Sequence, residues 1–302
     1  MRYKTLLFFS LFLVIAGSLL YAENAPTADS DQQISDFSLA GYGEKGKKTW
    51  DLSGKSADIF SEIIKLKDII GNLYGEKEEI KLTADKGDFN KDEGRLKVED
   101  NVIITTSSGS KLTTDTLEWD RKNNIVTTHA LVNVERENML TTATGATGYP
   151  NLNKISFDKD VTVKFTPEAK DKDGEDNNIV ITCDGPLEID YAKNFATFKN
   201  KVRVETQGNV IYSDVMDIYF LSQGQADNKD EKTEAQAEAE SALMGSKIDK
   251  IVARGNVKIV RGENVSYSEE ATYIARDKKI ILTGRPKLII YSTEGFNASL
   301  RN

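Results

Sequence analysis

The chain has 302 residues, 39% apolar and 29% charged, which suffices for a real core and argues against wholesale disorder. Forty basic against 48 acidic side chains give a net charge of -8, which argues against a broad surface for nucleic acid. One cysteine, Cys183, and one histidine, His129, leave no material for a disulfide framework, a cysteine zinc site or a histidine metal cluster. No catalytic set, metal or cofactor is expected.

Arg2 and Lys4 precede an uncharged run, residues 5–22, and Glu23 and Asn24 follow it. The order basic, apolar, polar is that of an export segment. Residues 1–22 are either a cleaved signal peptide, with Leu20 imperfect for a cut after Ala22, or a retained anchor of marginal spanning length. No cysteine follows for acylation. Residues 23–33 read as a linker, and the rest is expected outside the cytoplasm.

From residue 34 onward the dominant signal is alternation. Val102 and Ile104 alternate in DNVIITT, Val132 and Val134 in LVNVER, and Val161 and Val163 in DVTVKF. The same holds for Val202 and Val204 in KVRVET, Val257 and Ile259 in NVKIVRG, and Leu288 and Ile290 in PKLIIY. Turn signals such as Asp100-Asn101, Asp158-Lys159-Asp160, Lys199-Asn200 and Gly255-Asn256 introduce most of these runs.

Between them lies a second class of segment: LTADKGDFN (82–90), LTTDTLEWD (112–120), ITCDGPLEID (181–190), IYSDVMDIYF (211–220) and SYSEEATYIA (266–275). In most of these a small residue and an acid precede alternating apolar positions: Leu117 and Trp119, Leu187 and Ile189, Met216 and Ile218, then Tyr273. The spacing predicts units of about thirty residues, each of two or more short antiparallel strands stacked on one continuous core. Two polar insertions, 166–178 and 222–247, break the period. The final run, 286–300, has nothing after it to cover it and is expected to pair with a partner.

A repeated x-A/T/S-D-x-L-x-W/F-D, a polar turn and G/D-N-V-x-I resembles the periplasmic lipopolysaccharide-transport proteins. Residues 34–165 are similar to LptC, with Trp50, Leu52 and Ala57-Asp58 matching its early strands. Residues 179–302, with the insertion 222–247, are similar to LptA and the N-terminal domain of LptD, the OstA-like group, and 166–178 reads as an acidic loop between the two parts. The resemblance implies an all-β, open β-jellyroll, a folded antiparallel sheet with an apolar trough behind the N-terminal helix. It also implies lipopolysaccharide, held by its lipid A acyl chains, as ligand. The implied partners are an inner-membrane ABC exporter and further jellyrolls joined by edge-strand pairing. The alternating residues named above are the candidate groove lining, and no catalytic residue comes with the likeness.

Other chemistry is thin. DKDGED (171–176) starts like a calcium loop but lacks the closing Glu. Nothing singles out a carboxylate pair for glycan hydrolysis. Lys111, Arg203, Arg254 and Arg261 read as ordinary outward charge, with the trough mouth as the alternative. The rival classes are a structural or adhesive β-repeat envelope protein with a dry core and a glycan-processing enzyme on a β-repeat scaffold.

Overall fold

The computed structural model describes residues 32–43, 46–60, 62–75, 78–149, 152–166, 178–221, 248–277 and 279–291. The export segment 5–22, the DKDGED motif, the insertion 222–247 and residues 292–300 lie outside the described residues. Among the described residues no helix is long and apolar enough to cross a membrane.

One antiparallel sheet of 17 strands accounts for nearly everything described. Its first part comprises β1 (Gln32–Tyr42), β2 (Lys48–Ile59), β3 (Ile63–Tyr74), β4 (Glu79–Asn90), β5 (Arg95–Thr106) and β6 (Lys111–Asp120). Next come β7 (Ile125–Arg136), β8 (Met139–Tyr149), β9 (Lys154–Phe165), β10 (Ile179–Cys183), β11 (Leu187–Asp190) and β12 (Phe195–Thr206). The last are β13 (Asn209–Phe220), β14 (Ile248–Arg261), β15 (Asn264–Ile274), β16 (Lys279–Thr283) and β17 (Lys287–Ile289). Each strand pairs with its sequence neighbours: β1 with β2, and so on to β9. Beyond β9, β10 and β11 act as two halves of one interrupted strand between β9 and β12. In the same way β16 and β17 both pair with β15. Both insertions fall between paired strands, 166–178 between β9 and β10 and 222–247 between β13 and β14, so the ladder itself is unbroken.

The turn signals are where the structure departs from the sequence reading. Asp100-Asn101, Asp160, Asn200-Lys201 and Gly255-Asn256 do not begin strands. They lie inside β5, β9, β12 and β14, in the left-handed region (φ 63° and 51°, 51°, 65° and 51°, 76° and 48°). Asp36 and Asp68 do the same in β1 and β3. Register shifts accompany several of these sites, for example between Glu99 and Val102 and between Arg254 and Val257. Asn, Asp and Gly tolerate left-handed backbone, so the chemistry that closes a turn here makes a bulge within a strand. Stacked strand upon strand, the bulges crease the sheet. Each thirty-residue unit is therefore two long strands that cross the crease, and not several short ones.

The crease divides each long strand into a segment on a first wing, which also holds β10 and β17, and a segment on a second wing, which also holds β11 and β16. The hairpin turns form the two lips. On the second-wing lip Asn90, Asp120 and Asp190 accept the backbone N–H three residues on, at 2.9, 3.0 and 3.1 Å. This is the Asx geometry that closes a four-residue turn.

Candidate functional site

The crease is built from two complementary motifs. Strands β3, β5, β7, β9, β12 and β14 place Ile69, Val102, Val132, Val161, Val202 and Val257 at its floor, all essentially without solvent contact. Intervening strands place small residues there: Ala84, Thr114, Ala143, Cys183, Ser213 and Ser268. The alternation of branched and small side chains lets the wings close at the fold line. Phe37 takes the floor in β1, and opposite it a Cβ on Gly54 would lie 2.7 Å from the Phe37 ring.

The acid after the small residue has a separate task. Asp85 accepts from the Asn101 amide at 2.7 Å, and Asp214 from the Asn256 amide at 2.8 Å. Asp184 pairs with Lys201 at 2.7 Å. Each bond ties an acid outside the crease to the left-handed residue of the adjoining strand.

Above the floor, the inner face carries apolar rows that run across the sheet. On the first wing Leu39, Leu52, Gly71, Leu82, Ile104 and Leu112 stand opposite one another from β1 to β6. The row continues through Val134, Thr141, Val163, Ile181 and Val204. It ends with Ile211, Ile259, Ser266 and Leu288. On the second wing the row nearest the crease holds Ala57, Leu66, Gly87, Val98 and Leu117. It goes on through Ala146, Phe157, Leu187, Phe198 and Met216, then Ala253, Ala271 and Leu282. A further row toward the lip runs through Ile59, Ile64, Phe89, Leu96 and Trp119. It continues through Val126, Gly148, Ile155, Ile189 and Ala196, and ends with Ile218, Ile251, Tyr273 and Ile280. No charged side chain stands in any of these rows.

A sheet face is buried only where something lies over it. Val163, Ile181 and Val204 of the first wing and Phe157, Leu187 and Phe198 of the second belong to one packed cluster. Among the described residues, the wings therefore cover each other's inner face. A second cluster, from Phe37 to Leu117, fills the base of β1–β6, and the two part between β6 and β7. There the buried hydroxyls of Thr114 and Thr128 meet at 3.1 Å.

The sequence candidates distribute over these rows. Val102, Val132, Val161, Val202 and Val257 are on the crease floor. Ile104, Val134, Val163, Val204, Ile259 and Leu288 are on the first-wing row; Leu117, Leu187 and Met216 flank the crease on the second wing, with Trp119, Ile189, Ile218 and Tyr273 nearer the lip. Ile290 lies past the end of β17 and is exposed. Periodicity missed two bulky, fully buried inner residues, Phe157 and Phe198. A signal existed: counting four residues back from the first valine of a run lands on Val98, Thr128, Phe157, Phe198 and Ala253, across the crease.

The basic residues face outward, apart from Arg261, which continues the inner alternation of Val257 and Ile259 at the lip. Arg203 lies over the Tyr212 ring at 5.9 Å and pairs with Glu205. Arg254 pairs with buried Asp217, which also accepts from the Thr197 hydroxyl at 2.9 Å. Asp51, held by Lys48, Asn72 and Tyr74 at 2.7 Å each, has its carboxyl lowered to about 2, chiefly by the Lys48 bond. Cys183 is buried, and burial pushes its thiol up. His129 is exposed in β7. Among the described residues no group of His, Cys, Asp and Glu is placed to hold a metal.

Among solved structures, the chain is similar to LptH of Pseudomonas aeruginosa, described as the LptA-homologous periplasmic component of the conserved lipopolysaccharide transport device. The identity is 13%, the likeness covers 51% of this chain and 90% of that one, and the TM-score is 0.20. No curated protein matches the sequence. The family model described as "Lipopolysaccharide-assembly, LptC-related" matches residues 6–166, more than half of the chain. The chain thus belongs to the LptC-related lipopolysaccharide-assembly family.

Proposed function

We propose that the protein is a periplasmic carrier of lipopolysaccharide, a non-catalytic bridge that takes the glycolipid from an inner-membrane ABC exporter and passes it toward the outer membrane. The observation that carries this reading is the set of charge-free apolar rows running from β1 to the last strands between two wings joined along one side only. Hydrocarbon entering such a trough leaves water, at roughly 0.8 kcal/mol for each CH₂ buried. The sugars and phosphates stay at the lips, and an unsealed mouth allows release.

In this reading residues 5–22 serve as export signal or inner-membrane anchor. Residues 34–165 act as the LptC-like part and 179–302 as the LptA-like part. The two edges of the described sheet, β1 on one side and β16 with β17 on the other, accept strands from neighbouring jellyrolls, since an unpaired edge offers a row of N–H and C=O groups. A dry-core structural protein is the rival. Photo-crosslinking from Trp119 and Ile259 in cells, with outward Arg203 as control, separates the two. Lipid adducts at the inner positions alone are expected; adducts at none of them would leave the dry-core protein.

A further inference from the structure

The first-wing row does not have one character along its length. Leu39 and Leu288, at its two ends, are 55% and 56% exposed. Leu52, Leu82, Ile104, Leu112 and Val134 are partly open, although they lie well inside the sheet. Val163, Ile181 and Val204 are 2%, 6% and 8% exposed. On the second wing the row nearest the crease is buried from Ala57 to Ala271, with Phe157, Leu187 and Phe198 the bulk at consecutive layers and Phe198 without exposed surface. The row nearer the lip repeats the pattern: Ile64, Phe89 and Trp119 are partly open, whereas Ile189, Ala196 and Ile218 are sealed. The crease floor between them, Val161, Cys183 and Val202, is equally closed. Past β12 the inner face opens again at Ile211, Ile251, Ile259 and Tyr273.

At β9–β12 an incoming chain finds little free apolar surface on either wing, only the partly open Ile155 and Ile179 toward the lips. It could pass only if the wings parted there and gave up contacts already made. On either side, apolar surface is available without rearrangement. The occupant that fits those stretches is hydrocarbon. A peptide strand laid on charge-free rows would leave backbone N–H and C=O groups unpaired, and an acyl chain has none.

We infer that the trough holds acyl chains at two separate sites, β2–β7 and β13–β15, divided by a dry waist at β9–β12 whose centre is Phe198. The inference rests on the carrier reading above and adds where the lipid sits. Cys183 lies in the waist and is the chain's single thiol, so it reports on the waist directly. Its raised thiol slows any reagent, which makes the comparison between variants the informative quantity.

The test uses the full chain and palmitate carrying a photoreactive diazirine near its methyl end, with adducts mapped by peptide mass spectrometry. Adducts are expected in β4–β6 and in β13–β15, and none in β9–β12. Phe198→Leu, which keeps the site apolar, is expected to extend adducts into β10–β12 and to speed N-ethylmaleimide labelling of Cys183 about tenfold, through easier local opening. Adducts running without a gap through β9–β12 of the wild type would overturn the waist and leave the carrier reading standing. Adducts confined to one stretch would overturn the two-site arrangement, and an unchanged labelling rate in Phe198→Leu would remove Phe198 from its centre. Adducts nowhere, with Cys183 still protected, would remove the carrier reading itself.

Discussion

Strands β2–β7 and β9–β12 share one crease and differ in what fills it. Both fold on left-handed Asp and Asn residues, both put a branched side chain on the floor, and both carry apolar rows on each wing. In the earlier stretch the second-wing row is Ala57, Leu66, Gly87, Val98 and Leu117, and the facing row stays partly open. In the later stretch Phe157, Leu187 and Phe198 occupy the same row and the facing side chains are sealed. The backbone sets the shape of the trough, and side-chain volume in one row decides whether it is vacant.

The largest effect expected from this contrast is on stability. Phe198→Ala opens a cavity in the sealed stretch and should cost about 3–5 kcal/mol, whereas Leu82→Ala, in the open stretch, should cost less than about 2 kcal/mol. Urea midpoints at constant slope measure both, and equal losses would break the contrast. The crease should respond alike in the two regions. Asn101→Ala and Asn256→Ala each lose a residue suited to left-handed backbone and a bond to an acid, for about 1–2 kcal/mol apiece. Thermal melts with strongly unequal losses would mean that the crease is not one device.

Filling the open stretch should cost little. A Cβ on Gly71 would stand in ordinary contact, 3.6 Å from the Leu52 methyl. Gly71→Leu should change stability by about 1 kcal/mol while reducing palmitate adducts in β4–β6, because it fills the row between Leu52 and Leu82. The smallest effect concerns pH. Asp51 has a folded pKa of about 2 against an ordinary 3.8, so its stabilising contribution is complete above about pH 4 and is lost as pH falls toward 2. Melting temperature followed over that window should fall less steeply in Asp51→Asn than in the wild type.

Much of the architecture was legible because alternation is a direct print of a half-buried strand. Val102, Val132, Val161, Val202 and Val257, which start the alternating runs, form the crease floor. The crease itself was not legible. Asn and Asp in left-handed backbone look the same in a sequence whether the chain reverses or merely bends, and only the pairing register separates the cases. Lys111, Arg203 and Arg254, read as ordinary outward charge, do lie on the outer face, each one step from inner Leu112, Val202 or Ala253. Phe198 stands outside the alternating run because it lies across the crease from it, although an even step from Val202 reaches it.

Strand order equal to chain order has a consequence for size. Every layer is held by its immediate predecessor and successor, so a hairpin inserted or deleted anywhere would leave the remaining pairings intact. Each added hairpin would extend the ribbon by about 10 Å, two strand spacings, with no new topology to solve. The length of such a molecule is therefore set by simple duplication, and a longer ribbon calls for more copies of a thirty-residue phrase rather than a different fold.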